Sequence, residues 1–382
     1  MARLHIYDPT ERALVTAADA LVAPLAWIRR RAAADRPVQR VLLLRLERIG
    51  DLLMVLDAIR DARAAWPDAT IDLAVGSWNE SLARLIPEIS GLEIADAPWL
   101  AREAGGSWRG LLRQARRWRA TRYDLAINFE PDIRSNLVAW LSGAPRRVGY
   151  WTGGGGAFLT DARAYRTTSH VSENARRLVA RAARREVPAA VTRARLAPPA
   201  DAVARAEALL AGARRPLVGV HASGGRESKQ WHLDRFAAVG RRLAQLRSAT
   251  IVLTGSPADR ALVDEVRGGL GDVPVVDAAG GLDLPALAAL LGRLDVFITG
   301  DTGPMHLAAA MGAPVVALFG PSRVERYGPR ADRQRILRVD LWCSPCGRVR
   351  LPPERCRGHV PDCMDAIQVD PVVAAAIELL TP

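Results

Sequence analysis

Lysine is almost missing from this 382-residue chain: of 53 basic residues one, Lys229, is lysine and the rest are arginine. The two exchange freely on a solvated surface, but not where a compact ammonium must approach one phosphate oxygen. The single lysine is therefore a marked position. Aromatic residues make up only 5% and no nucleic-acid-binding motif is present, so the net charge of +12 does not by itself point to nucleic acid. No apolar run approaches the roughly 20 residues of a membrane-spanning helix. The opening Met-Ala-Arg-Leu-His-Ile-Tyr-Asp-Pro interrupts the apolar core a signal peptide needs, and the expected compartment is the cytoplasm. Cysteine is limited to Cys343, Cys346, Cys356 and Cys363. Stable disulfides are disfavoured in that compartment. C-x2-C followed by two further thiols suits a tetrahedral structural zinc or iron, with reduced thiols as the alternative.

What is present is a balanced chain, 49% hydrophobic and 25% charged, long enough for two domains. From residue 41 strand-length apolar runs alternate with helical patterns: 41–46, a helix over 51–65, a strand at 70–75, helices near 78–86 and 107–121, a strand at 124–129. The pattern restarts with strands at 216–222, 250–254, 275–277, 296–299 and 314–319, separated by helices near 233–247, 258–270, 284–293 and 304–312. Such alternation predicts two α/β domains, each a doubly wound parallel sheet, with ligands beyond the carboxyl ends of the strands in a central cleft. The expected divisions are an N-terminal extension 1–40, a first domain 41–190, a connector 191–215, a second domain 216–340, and a Cys-rich segment with a terminal helix over 341–382. The extension holds an amphipathic stretch (Leu21, Val22, Leu25, Trp27, Ile28, then Arg29-Arg-Arg31). It is expected to pack on the first domain or to lie on an anionic membrane surface.

Three segments can carry chemistry. The first strand runs into Arg45-Leu-Glu-Arg-Ile-Gly-Asp51; Gly50 permits a tight turn, and Asp51 is either a helix cap or a carboxylate facing the ligand. The turn lacks the G-x-G-x-x-G of a nicotinamide dehydrogenase. In the second half, His221-Ala-Ser223-Gly-Gly-Arg-Glu-Ser-Lys229 can offer backbone N–H groups and one cation to a phosphate. Thr299-Gly-Asp301-Thr302-Gly303-Pro-Met-His306 reads as a strand end, a turn and a helix start with proline near its first position. The N–H groups of Thr302 and Gly303 and the helix dipole can hold a pyrophosphate without metal. Asp301 suits a hydroxyl-rich group such as a sugar. His306 is open between a phosphate contact and a core histidine.

These residues carry a resemblance. The chain is similar to glycosyltransferase family 9, the ADP-heptose:lipopolysaccharide heptosyltransferases, through R-x-x-x-I-G-D at 45–51, Y-D-L-A-I-N-F at 123–129, R-S-N-L at 134–137 and S-G-A-P-R-R-V-G-Y at 142–150. G-x-x-x-x-K-Q-W at 224–231, L-T-G-S at 253–256, D-T-G-P-M-H-L-A-A-A at 301–310 and P-V-V-A-L-F-G-P at 314–321 continue it. The resemblance implies a GT-B fold, with acceptor on the first Rossmann-like domain and nucleotide-sugar on the second. It also implies inverting transfer with no cofactor required for the chemistry. Asp51 would be the general base and Lys229 the partner of the leaving diphosphate. Ser223, Thr254, Gly255, Asp301, Thr302, Gly303 and His306 would line the donor site, and Arg48 and Arg134 the acceptor side. The terminal helix near 371–380 would cross back to the first domain.

The donor is then expected to be ADP-linked heptose, and the acceptor a lipopolysaccharide core, another glycan, a lipid-linked sugar or a protein. The protein would be cytoplasmic or peripheral on the inner face of the membrane. Family members acting on lipopolysaccharide often read S-S-x-G-D, then x-x-H-x-L-P; here Met54 takes the histidine place and Asp57 the proline place, which leaves the acceptor more open than the donor. The competing readings are a non-catalytic nucleic-acid or partner-binding protein on the same scaffold, and a nucleotide-sugar epimerase or phosphorylase.

Overall fold

Short, wholly buried apolar runs such as Val41–Leu44 (0% exposed) form the centre of two parallel sheets. Burying each such side chain contributes about 1.5–3 kcal/mol. The computed structural model describes residues 4, 6, 9–29, 37–100, 106–184 and 193–381. They fall into two units, Met1–Thr192 and Arg193–Pro382.

In the first unit the strands are β1 (Arg40–Leu44), β2 (Thr70–Val75), β3 (Gly91–Ile94), β4 (Leu125–Asn128), β5 (Arg146–Tyr150) and β6 (Asp161–Arg163). Their order is β3-β2-β1-β4-β5-β6, all parallel. The second unit repeats the plan with β7 (Leu217–His221), β8 (Thr250–Thr254), β9 (Val275–Asp277), β10 (Val296–Gly300), β11 (Val315–Leu318) and β12 (Gln334–Leu337), ordered β12-β11-β10-β7-β8-β9. Each sheet is the Rossmann arrangement. Each has its topological switch point where the chain's first strand meets its fourth, β1 beside β4 and β7 beside β10.

Several expectations are corrected. The helix expected over 51–65 is two helices, Ile49–Leu53 and Leu56–Ala65, broken at Met54–Val55, where Val55 N–H donates to Leu52 in a tightened turn. The terminal helix, Val369–Leu380, packs on helix Leu233–Arg247 and on β10–β12 of its own unit. Val372, Val373, Ala376 and Leu379 are part of the second unit's core, so its apolar face is used there.

Helix Pro9–Arg29 docks on the turn Gly156–Phe158, and Asp19 Oδ1 accepts from Gly155 N–H at 2.5 Å. Leu21 is exposed; the side chains of Leu25, Trp27 and Ile28, and Arg30–Arg31, lie outside the described residues. Among those described, no helix is long and apolar enough to cross a membrane.

Candidate active site

Both clusters of sequence-marked residues stand at the two switch points. In the first unit, Asp51 is the third residue of helix Ile49–Leu53 rather than its cap. Its Oδ2 accepts from Arg48 N–H (3.2 Å) at the helix start; Gly50 is an ordinary helical residue there, not the tight turn expected of it. Its Oδ1 stands 3.3 Å from Arg45 Nη2, and its carbonyl accepts from Arg45 Nε (3.1 Å). The Asp51 side chain remains 31% exposed, so a carboxylate held on two sides still faces solvent.

Arg45 is the residue that sequence reasoning missed as a site member. It is buried, 2% exposed, with Nη1 2.9 Å from Glu47 Oε2 and donating to the Phe129 carbonyl at 2.9 Å. Burial works against its charge, but the Glu47, Asp51 and Glu130 carboxylates outweigh this and push its pKa up. Glu130, equally buried just beyond β4, accepts on Oε1 from the N–H groups of Leu46 and Glu47 (3.1 Å for the latter). Burial, then Glu47, push the Glu130 carboxyl up to about 8 against the pull of Arg45. A charged residue inside Leu-Leu-Leu-Arg-Leu was the available signal for Arg45; Glu130, after Asn128-Phe129, had none.

Arg48 and Arg134 end on aromatic rings. Arg48 lies over Trp78 (5.4 Å) and donates to the Leu100 carbonyl (2.6 Å). Arg134 lies over Trp99 (5.3 Å) and is paired with Asp132 (2.6 Å).

In the second unit, β7 leads into the 223–230 loop. Gly224 is required there: a Cβ would lie 2.7 Å from Gln230 N. Gln230 ties the loop through Gly224 N–H (2.8 Å) and the Ala222 carbonyl (2.6 Å). Ser223 Oγ accepts from Gly225 N–H (3.3 Å). Lys229 closes the loop, reaching beyond β10 to Asp301 Oδ2 (3.3 Å) and to the Asp301 carbonyl. Ser322 Oγ donates to the same carboxylate at 2.6 Å.

Thr302 caps helix Gly303–Met311, with Pro304 in its first turn, and its hydroxyl accepts from Met305 N–H (3.4 Å). The helix start leaves N–H groups without an i−4 partner. His306 is buried within that helix and has a protein interaction. Thr254 ends β8 and Gly255 follows it; Thr254 Oγ1 is 3.2 Å from His221 Nδ1. Burial lowers the His221 pKa, which keeps the ring neutral.

Cys343, Cys346, Cys356 and Cys363 line one pocket with Ser228, Pro321, Arg348 and Arg355. Burial, then the Cys346 and Cys356 thiols, push Cys363 up to about 11. Four soft sulfur donors around one pocket fit zinc or iron chemically. Among the described residues the side chains do not converge into a ready ligand cluster. The segment braces the donor loop: Ser228 Oγ donates to Val349 O (3.1 Å), Gly358 N–H to Glu227 Oε1 (3.1 Å) and Gly347 N–H to Pro321 O (2.8 Å).

Two Rossmann-like sheets, each with polar residues at its switch point, define a GT-B glycosyltransferase fold. The sequence profile of glycosyltransferase family 9 (heptosyltransferase) matches residues 111–353. The chain belongs to that family and is a glycosyltransferase. It is 26% identical over 318 residues to lipopolysaccharide heptosyltransferase 2 of Salmonella typhimurium, covering 78% of this chain and 88% of the relative. The crystal structure of a glycosyltransferase family 9 protein from Veillonella parvula is similar at a TM-score of 0.78 and 23% identity, over 91% of this chain and 98% of that one. The structure of E. coli ADP-heptose lps heptosyltransferase II gives 0.73 at 21%, over 90% and 98%.

Proposed function

We propose that the chain transfers a heptose, or a closely similar sugar, from an ADP-linked donor held by the second unit to a hydroxyl of an acceptor held by the first. In this reading the acceptor oxygen attacks the anomeric carbon and the bond to the diphosphate oxygen breaks. ADP leaves with the electron pair, the hydroxyl proton passes to Asp51, and configuration inverts in the single displacement. Asp51 is general base, Arg45 its positioning residue, and Arg48 and Arg134 the rim that meets an anionic acceptor. Lys229 and the start of helix Gly303–Met311 stabilise charge as it develops on the leaving diphosphate, so no metal is needed for the chemistry. The diphosphate competes with Asp301 for Lys229, which frees Asp301 for sugar hydroxyls. Ser223, Thr254, Gly255 and His306 complete the donor side. The four cysteines hold a structural zinc or iron behind it.

The observation that carries the reading is the Lys229–Asp301 pair beside the Thr302-capped start of helix Gly303–Met311 at one switch point, matched by the held but accessible Asp51 carboxylate at the other. The relatives named as lipopolysaccharide heptosyltransferases support a lipopolysaccharide core as first acceptor to try. The test is titration calorimetry with ADP, UDP, GDP and dTDP. Selective ADP binding supports the donor class; binding of another nucleotide in its place, or of none by folded protein, overturns it.

A further inference from the structure

Many of the described arginines pair with an acid, as in Arg176–Asp61, Arg260–Asp277 and Arg335–Glu378. One helix of the first unit departs from this. Trp108–Thr121 buries Leu111, Gln114, Ala115 and Trp118 on one side. On the other it exposes Trp108, Arg109, Leu112, Arg113, Arg116 and Arg117. No acidic residue occurs between Ser107 and Arg122. The side chains of Arg109, Arg113, Arg116 and Arg117 have no hydrogen-bonding or ionic partner among the described residues.

At about 100° per residue, Trp108, Leu112, Arg116, Arg109 and Arg113 follow one another around a single arc, so two large apolar side chains form one edge of a strip of cations. The face continues into the acceptor rim: the Trp108 and Trp99 rings are 5.3 Å apart, and Arg134 lies 5.3 Å over Trp99.

We propose that this face docks the first unit on an anionic phospholipid bilayer. Trp108 and Leu112 enter the headgroup layer, the arginines meet lipid phosphates, and the acceptor rim is presented to a lipid-borne acceptor. A helix lying in the interface requires this combination of apolar and basic side chains. A nucleic-acid backbone would use the arginines but give the exposed Leu112 nothing to enter. The proposal rests on the acceptor assignment of the first unit, and its test does not.

The test is flotation of the full chain with neutral phosphatidylcholine vesicles and with vesicles containing phosphatidylglycerol. Wild type is expected to float only with the latter. The triple variant Arg109→Gln, Arg113→Gln, Arg116→Gln should partition about 100-fold less, roughly fivefold for each arginine near the surface. Leu112→Ser should lose binding that persists in high salt, where the ionic part is screened. Circular dichroism and unchanged turnover of a delipidated, soluble acceptor would show the triple variant folded and intact. Lys229→Ala should float normally, so a failed donor assignment leaves this readout standing. Flotation of the triple variant equal to wild type, no preference for anionic vesicles, or oligonucleotide binding in place of vesicle binding would each overturn the proposal.

Discussion

Lys229 Nζ stands 3.3 Å from Asp301 Oδ2, so a cation following β7 and a carboxylate following β10 are joined across the second unit's switch point. Both side chains are largely buried, and Ser322 gives the carboxylate a second donor. In the function proposed above, this pair is a preformed seat whose cation would pass to an arriving diphosphate.

Lys229→Ala should weaken ADP binding by about 1.5–3 kcal/mol, the range for hydrogen bonds to charged groups. Lys229→Arg should recover only part of this, since the guanidinium fork does not fit a seat built for an ammonium. Calorimetry checks both, and wild-type ADP affinity in Lys229→Ala would reduce the pair to a structural tie.

Asp301→Asn should separate nucleotide from sugar. ADP, which lacks the hydroxyl-rich group, should bind at least as tightly as to wild type, whereas the ADP-sugar should lose its advantage over ADP. Equal losses for both ligands would contradict the sugar-facing role of Asp301.

Glu130 makes stability fall with rising pH. Its folded pKa, about 8, lies above its ordinary value of 4.5, so between these the folded state binds more proton than the unfolded one. The stabilisation is fully present below pH 4.5 and is lost as pH rises through about 8. Glu130→Gln cannot ionise, and its Tm should fall less than that of wild type between pH 5 and 9. Parallel Tm–pH curves for the two proteins would argue that Glu130 is ionised in the fold.

The thiol pocket gives a prediction on metal content. Protein purified under reducing conditions should carry about one zinc or iron by elemental analysis, lost in Cys343→Ser/Cys346→Ser. Because Val349 and Gly358 brace the 223–230 loop and Gly347 the 320–322 loop, that variant should also bind ADP more weakly. Four titratable thiols and no metal in the native protein would remove the proposal.

Much of this arrangement was legible because central parallel strands read as unbroken apolar runs. β2, β8 and β9 lie where the pattern put them, and β1, β4, β7, β10 and β11 differ only at their ends. The strands without a sequence signal are those whose stability comes from partners rather than composition. β5 begins Arg146-Arg147, and the Arg147 guanidinium is buried because the Phe158 carbonyl accepts its Nε (2.7 Å). β3, Gly91–Ile94, β6, Asp161–Arg163, and β12, Gln334–Leu337, are short edges carrying charge. The helices Ile133–Leu141 and Val171–Ala183 were likewise unread.

The same division holds at the site. Asp51, Lys229 and Asp301 stood out by type and position, whereas the contacts of Arg45 and Glu130 span 84 residues and exist only once β1 and β4 are adjacent.

The most direct test is a transfer assay with ADP-heptose and heptose-deficient lipopolysaccharide core, in the presence of a chelator, comparing wild type with Asp51→Asn by mass spectrometry of the product. The account predicts heptosyl product with inverted anomeric configuration from wild type. Turnover of the variant should fall by about 10²–10⁴, the usual contribution of a general base, with ADP affinity unchanged. Variant turnover within tenfold of wild type, or a loss explained by weaker ADP binding, would contradict it.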